Sequence, residues 1–441
     1  MAGPPALQRR LSLGDLVVYG LLFIGPLAPV GVFGVLDAQA DGAVALVYLV
    51  ATVAMAFTAW SYAEMSRVVP HAGSVFAYAT AGLGGAAGFF AGWLAMLDYL
   101  LIPSVAYLFS GIAMHALVPA VPAWVFTATA FVATTALNLR GVAVAARVGF
   151  VVLLVEVGAL AVFLAVAAAV LAADGPSRPW LSPLVGVTAV TPALVLGGVS
   201  IAVLSFLGFD AIASFAEENA GDSRQIGRAI LLCLASAGLA FVAQTAAAAL
   251  LSTVPPADLR ATPARQGTAF YDLTRVALGG WLATLVAVTK AIGPAFAAMT
   301  AQAAAARLLL GMSREGRLPA ALARIDRQRG VPVAALVSSG TLTLVVSVWA
   351  ARRADGLPLL VSIVDVGALA AFALLHASVV GYFVGRQGSR RWIGHLVVPL
   401  AGITVTAWVL VAASPLAQTT ALVWTGLGAV VLAARRPGRA A

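Results

Sequence analysis

Twelve apolar segments leave this chain few choices of fold. They lie at roughly residues 13–36, 43–64, 85–114, 121–138, 147–171, 193–217, 227–252, 279–308, 332–350, 358–384, 395–413 and 416–434. A run of about 20 apolar residues crosses a bilayer as a helix, because lipid offers backbone amides no other partner. The 62% share of hydrophobic residues, with only 10% charged, rules out a soluble domain. The expected fold is an all-α polytopic membrane protein with 12 transmembrane helices.

The net charge of +9 does not mark a nucleic-acid binder, because the arginines sit in short loops between the apolar segments. With the N-terminus inside, one side carries Arg9, Arg10, Arg67, Arg140, Arg147, Arg224, Arg228, the 307–330 cluster and the arginines from Arg386 onward. The other side carries Arg178, Arg260, Arg265, Arg275, Arg352 and Arg353. This bias of about three to one places both termini in the cytoplasm. Arg9 and Arg10 precede a first segment without a cleavage-type end, which reads as a retained helix. Cys233 is the only cysteine, so no internal disulfide forms, and no Cys/His spacing suits a metal. No cofactor is expected.

The first segment is interrupted. Gly25, Pro26 and Pro29 sit near its middle, and each proline removes an amide donor and crowds the carbonyl four residues earlier. Phe23-Ile24-Gly25-Pro26 is echoed by Phe206-Leu207-Gly208-Phe209 in the sixth segment, with Asp210 following. Non-helical backbone at membrane depth is tolerated where it lines a cavity or is buried in protein. Interrupted helices in corresponding positions of two halves point to a transporter built from inverted repeats.

Several stretches, in order and spacing, carry a family resemblance. They are Leu13-Gly14-Asp15, Pro70-His71-Ala72-Gly73-Ser74 with Tyr78, and Gly92-Trp93 with Leu97-Asp98-Tyr99-Leu100 and Pro103. Ser205 to Asp210 with Glu217-Glu218, Arg307-Leu308-Leu309 with Arg314-Glu315-Gly316, and Gly367-Ala368-Leu369 with Phe372 complete the set. The chain resembles the amino acid–polyamine–organocation family of secondary transporters, nearest its putrescine-importer branch. The resemblance implies a leucine-transporter-type fold. A first inverted repeat of helices 1–5 spans 13–171, and a second of helices 6–10 spans 193–384. Two peripheral helices span 395–434, between cytoplasmic termini at 1–12 and 435–441. It also implies proton-coupled uptake or exchange of amino acids or amines.

On this resemblance the substrate is held at the two breaks, by Gly25, Pro26, Leu27 and Ala28 and by Phe206, Leu207, Gly208 and Phe209. Amides opening a second half-helix suit a carboxylate. Here Pro26 and Pro29 remove two such donors, which favours a substrate without one. Asp210 binds an ammonium, carries a coupling proton or caps its half-helix. Asp98 beside Tyr99 suits an amine, or makes a helix–helix hydrogen bond. Asp365 is a candidate to join Asp98 and Asp210 around a dication.

Glu156 lies near mid-depth of the fifth segment, where some family members carry a lysine that stands in for sodium. Lys290, the only lysine, falls at a comparable depth in the eighth segment. They form a pair that breaks and reforms with protonation, or Lys290 snorkels outward. His376 is expected to be a packed polar residue.

The leading expectation is thus a secondary transporter importing a small amine, putrescine favoured, through the cell membrane. A neutral or cationic amino acid permease or exchanger is the alternative within the class, and a transporter-like sensor or channel lies outside it. An enzyme is not expected, since no HExxH or paired catalytic carboxylate motif occurs. The expected partners are the small-molecule substrate, a proton and the lipid bilayer, with no nucleic acid. The chain is expected to act as a monomer or homodimer.

Overall fold

The computed structural model describes residues 9–69, 74–118, 120–188, 190–262, 265–326, 328–353, 356–412 and 415–434. Of the side chains at 116, 142–146, 356–359, 361–362, 365, 412 and 415–417, nothing is described. Asp365, the Pro70–Gly73 part of the 70–74 motif and the C-terminal arginines from 435 fall outside the description.

The regular structure among the described residues is helical, with one isolated bridge between Leu11 and Asn219. Among the described residues, ten helical stretches are long and apolar enough to cross a membrane. Ala123–Leu139 and Gln418–Ala433 are apolar but shorter.

In chain order, the first half holds α1 Leu13–Ile24, α2 Phe33–Gln39, α3 Val44–Val68, α4 Val75–Leu83, α5 Gly85–Leu117, α6 Ala123–Leu139 and α7 Val142–Ala173. A short α8, Ser182–Val185, leads to α9 Pro192–Ala202, then α10 Ser223–Leu251, α11 Pro256–Ala261 and α12 Ala269–Ala277. The long α13, Gly280–Arg314, is followed by α14 Val333–Ala351, α15 Gly356–Val379, α16 Val398–Ala412 and α17 Pro415–Ala434.

α1 starts cleanly because Ser12 and Asp15 form a capping box: the Asp15 amide donates to Ser12 Oγ, and the Ser12 amide donates to Asp15 Oδ2. Two long pairings organise the interior. α3 packs along α10, and α5 packs along α13. α1 lies between them and touches α7, α10 and α13.

Small residues allow this closeness. A side chain on Gly227 would meet Ala63 of α3, and one on Gly238 would meet Thr52. The outward faces of α7, α14 and α17 carry exposed Val, Leu and Trp, such as Val151, Leu154, Val345 and Leu422, as lipid-facing surface requires.

Candidate functional site

Helix α1 ends where the glycine and prolines demand it. Gly25 takes φ 76° and ψ 111°, a conformation costly for any residue with a Cβ, while its amide still donates to Leu21 O at 2.8 Å. The chain then makes a 3-10 turn, Ala28–Gly31, before α2 resumes. Gln244 of α10 braces this break by donating to the Pro26 carbonyl at 2.9 Å. The sixth segment breaks likewise. α9 tightens into a 3-10 turn at Val203–Phe206, Leu207 is extended, and Gly208 takes φ 121°. The Phe23 ring lies where a Gly208 side chain would sit, so the two breaks pack directly on each other.

Between them is a cavity of about 120 Å³. Phe23, Ile24, Gly25 and Ala28 line it from the first break, and Leu204, Ser205 and Leu207 from the second. α5 contributes Ile102, Val105, Ala106 and Phe109, and α13 contributes Lys290, Pro294 and Ala297. Glu156 of α7 and Lys290 are the charged residues on its walls. The cavity therefore brings together the two residues whose depths match in the sequence. They form no ion pair within 4 Å among the described contacts.

Glu156 is buried, and its Oε2 has no hydrogen-bond partner. Its carboxyl is pressed into the notch left by Gly293 of α13, where any Cβ would collide with it. A Cβ on Gly25 would lie 4.0 Å from Glu156 Oε1. One carboxylate thus lies beside the break in the first segment and in the notch of α13. Pro294, next to the notch, deprives the Lys290 carbonyl of its helical donor.

The aspartates lie elsewhere. Asp210 is buried behind the second break: Tyr99 Oη donates to its Oδ2 at 2.7 Å, Tyr62 Oη at 3.4 Å, and the Gly208 amide to Oδ1 at 3.2 Å. It sits inside a tyrosine cage at the start of its own half-helix, and neither it nor Tyr99 is on the cavity wall. Asp98 is also buried off the cavity, on the α5 face that Gly367 of α15 approaches closely.

Phe206 packs with Tyr48 and Phe241, and Phe209 with Tyr62 and Phe372. Pro26 and Leu27 turn away from the cavity, while Gly25, Ala28 and Leu207 line it. His376 is packed, with Nδ1 2.9 Å from Ser61 Oγ and Nε2 3.3 Å from Thr58 Oγ1.

The two ends of the cavity differ. Toward the face carrying Leu11, Arg307 Nε pairs with Glu218 Oε1, and the guanidinium stacks on Phe215 at 4.3 Å. Both charged groups are buried. Tyr19 stacks on Phe215, and the amides of Arg10 and Leu11 donate to the Glu218 carbonyl, each at 2.9 Å. Toward the opposite face a larger cavity of about 530 Å³ opens between α5, α12 and α13, sharing Gly31, Phe109 and Lys290 with the first. On that face α2 is held by Asp37, which takes a two-pronged pair from Arg178 at 2.7 and 2.8 Å; Arg178 also donates to Ser252 Oγ at 3.0 Å. No pattern in the sequence joins Asp37 to Arg178, since they are 141 residues apart. Gly293-Pro294, by contrast, is a local Gly-Pro signal inside α13, which runs on unbroken through it.

Residues 16–432 match the sequence profile of the family described as Amino acid permease. The chain belongs to this family. Among its relatives, the low-affinity putrescine importer PlaP of Escherichia coli is 29% identical over 97% of this chain and 93% of its own length. The branched-chain amino acid permease BcaP of Bacillus subtilis is 26% identical over 86% of this chain and 82% of its own. The methylthioribose transporter of Bacillus subtilis is 25% identical over 97% and 93%. The chain is therefore a multi-pass membrane transporter of the amino acid–polyamine–organocation class, similar to transporters of amino acids and polyamines, and not an enzyme. In this permease the broken segments, the cavity and the two charged side chains form one constellation.

Proposed function

We propose that this permease imports a small amine-bearing solute, an amino acid or a monoamine, driven by protons through the cell membrane. The observation that carries this reading is Glu156. It is a buried carboxylate with an unpartnered oxygen, on the wall of a cavity bounded by both helix breaks. A buried anionic oxygen without a donor is costly, so it calls for a proton or a cation. Because it fills the α13 notch and lies beside the Gly25 break, its protonation changes how those two elements pack. We assign it the coupling proton.

The substrate ammonium belongs at the breaks themselves. α1 and the Pro192–Phe206 stretch both end at the cavity, and their C-terminal carbonyls carry partial negative charge toward it. Twelve transmembrane helices, a 5+5 inverted repeat and cytoplasmic termini complete the reading. α1, α3, the Pro192–Glu218 segment and α10 rock as a bundle against a scaffold containing α5 and α13. The tight α3–α10 and α5–α13 pairings support that division.

A second reading, import of a diamine, is favoured by the similarity to a putrescine importer. Lys290 on the cavity wall and the enclosure of Asp210 weigh against it. Uptake of labelled amino acids, monoamines and putrescine into proteoliposomes, with and without an inward proton gradient, tests the proposal. Gradient-driven uptake that is lost in Glu156→Gln is expected. Uptake equally strong without a gradient and in Glu156→Gln would overturn the coupling assignment.

A further inference from the structure

The amides of Gly25, Ala28, Val32 and Leu207, which line the cavity at the breaks, are already engaged. At the first break the Gly25 amide donates to Leu21 O, Ala28 to Gly25 O, Val30 to Leu27 O and Val32 to Pro29 O. Pro26 and Pro29 have no amide to give. At the second break the Leu207 amide donates to Leu204 O, and the Gly208 amide is taken by the side chain of Asp210. A carboxylate entering here finds the carbonyl ends of two half-helices, which repel it. One positive side chain reaches the cavity wall, Lys290; it shares that wall with Glu156, so its ammonium is open to a substrate carboxylate when Glu156 holds its proton.

Lys290 also lines the larger cavity on the face opposite Leu11, where Asp272 and Arg275 of α12 form part of the wall. It is half-buried, with its free surface at the junction of the two cavities. The two cavities meet at Gly31, Phe109 and Lys290, so a solute at their junction lies beside this ammonium. A solute carrying a carboxylate gains a charge-assisted contact there, and a dication is repelled.

We infer that Lys290 is the specificity-determining residue for the carboxylate: it replaces the backbone amides as the anion-binding group and selects amino acids over the amines that lack a carboxylate. This inference rests on the central cavity being the substrate site. It orients the bound amino acid, with its ammonium toward the carbonyl ends at Ile24 and Phe206 and its carboxylate toward α13. Lysine at this place is also better suited than arginine to a single carboxylate in a narrow space, being compact with rotatable donors.

The test compares matched pairs that differ only by the carboxylate: leucine with isoamylamine, and ornithine with putrescine. Inhibition constants are measured by competition on purified protein in proteoliposomes. The expected result is that the wild-type chain prefers the acid-bearing member of each pair by at least tenfold. Lys290→Met should collapse that ratio by at least tenfold, and Lys290→Arg should retain part of it. An unchanged acid-to-amine ratio in Lys290→Met would overturn the inference. A cavity-filling control, Ala28→Phe, separates this from the underlying reading. If Ala28→Phe leaves the affinities of both pair members unaltered, the cavity is not the substrate site and the assignment of Lys290 falls with it. Protein yield and monodispersity of Lys290→Met are checked alongside. If that variant does not fold, Lys290→Gln takes its place: an acid-to-amine ratio unchanged from wild type refutes the inference, and a collapse of at least tenfold supports it.

Discussion

Replacing Glu218 with Gln should open the face that carries Leu11, because it breaks the fully buried charge pair there and leaves the more exposed Arg314–Glu217 pair, at 2.7 Å, between the same two elements. Arg307 and Glu218 are both buried, and the remaining contacts of Arg307 are a donation from Nη1 to the Ala303 carbonyl at 2.7 Å and the Phe215 ring. Removing one partner of a buried pair typically costs about 3–5 kcal/mol, since the other charge is stranded. The Ala303 carbonyl and the aromatic face retain part of that, so the net loss should be about 3 kcal/mol. At about 1.4 kcal/mol per decade, this shifts the balance between closed and open states roughly a hundredfold.

The assay follows from the cysteine content. Cys233 is the only cysteine and is fully buried, so a cysteine placed at Ala303, in the small recess beside Arg307, reports alone. Its reaction with a membrane-impermeant maleimide should be slow in the parent chain. It should accelerate roughly a hundredfold with Glu218→Gln, in proportion to the open fraction. An acceleration below about threefold, with an unchanged melting temperature, would refute the idea that this pair holds the face shut.

Other perturbations separate structural from functional charges. Arg178→Met strands Asp37 and should lower stability in detergent by about 3–5 kcal/mol, while the double change with Asp37→Asn should recover much of it, as read from thermal unfolding of all three variants. Tyr99→Phe removes the shortest hydrogen bond to Asp210 and should cost about 1.5–3 kcal/mol in stability; because neither residue lines the cavity, a loss of substrate affinity larger than the stability loss would contradict the placement. Gly293→Ala puts a methyl into the notch that receives Glu156 and should reduce proton-driven uptake at least tenfold, with gradient-independent substrate binding less affected; equal uptake in both chains would separate Glu156 from coupling. Gln244→Leu leaves the Pro26 carbonyl without its buried donor and should destabilise by about 1–3 kcal/mol, seen as a lower melting temperature.

Glu156 and Lys290 were legible as a pair of equal depth in segments 5 and 8, and the structure brings them to one cavity wall without a direct contact. Asp98 and Asp210 lie off that cavity, and the sequence could not show it for a physical reason. Depth along a helix says how far a carboxylate lies from the interfaces, but not which neighbour turns toward it. The hydroxyls that enclose Asp210 come from α3 and α5, elements 148 and 111 residues away in sequence. The basic loops showed where charge gathers, yet not that Arg307 and Arg178 would be drawn inside.

The sequence by itself determined the membrane-spanning helices and the places where two of them must break. Those properties are local: hydrophobic length decides insertion, and Gly25, Pro26, Pro29 and Gly208 change backbone geometry wherever they stand. Tertiary packing decided which charges meet water, substrate or each other. Low-dielectric burial makes every charge seek a partner, and the nearest partner is set by how α1, α3, α5, α10 and α13 stack, not by their order in the chain. That stacking closed a tyrosine cage on Asp210, bound Glu218 to Arg307, and left Glu156 and Lys290 facing the space between the two breaks.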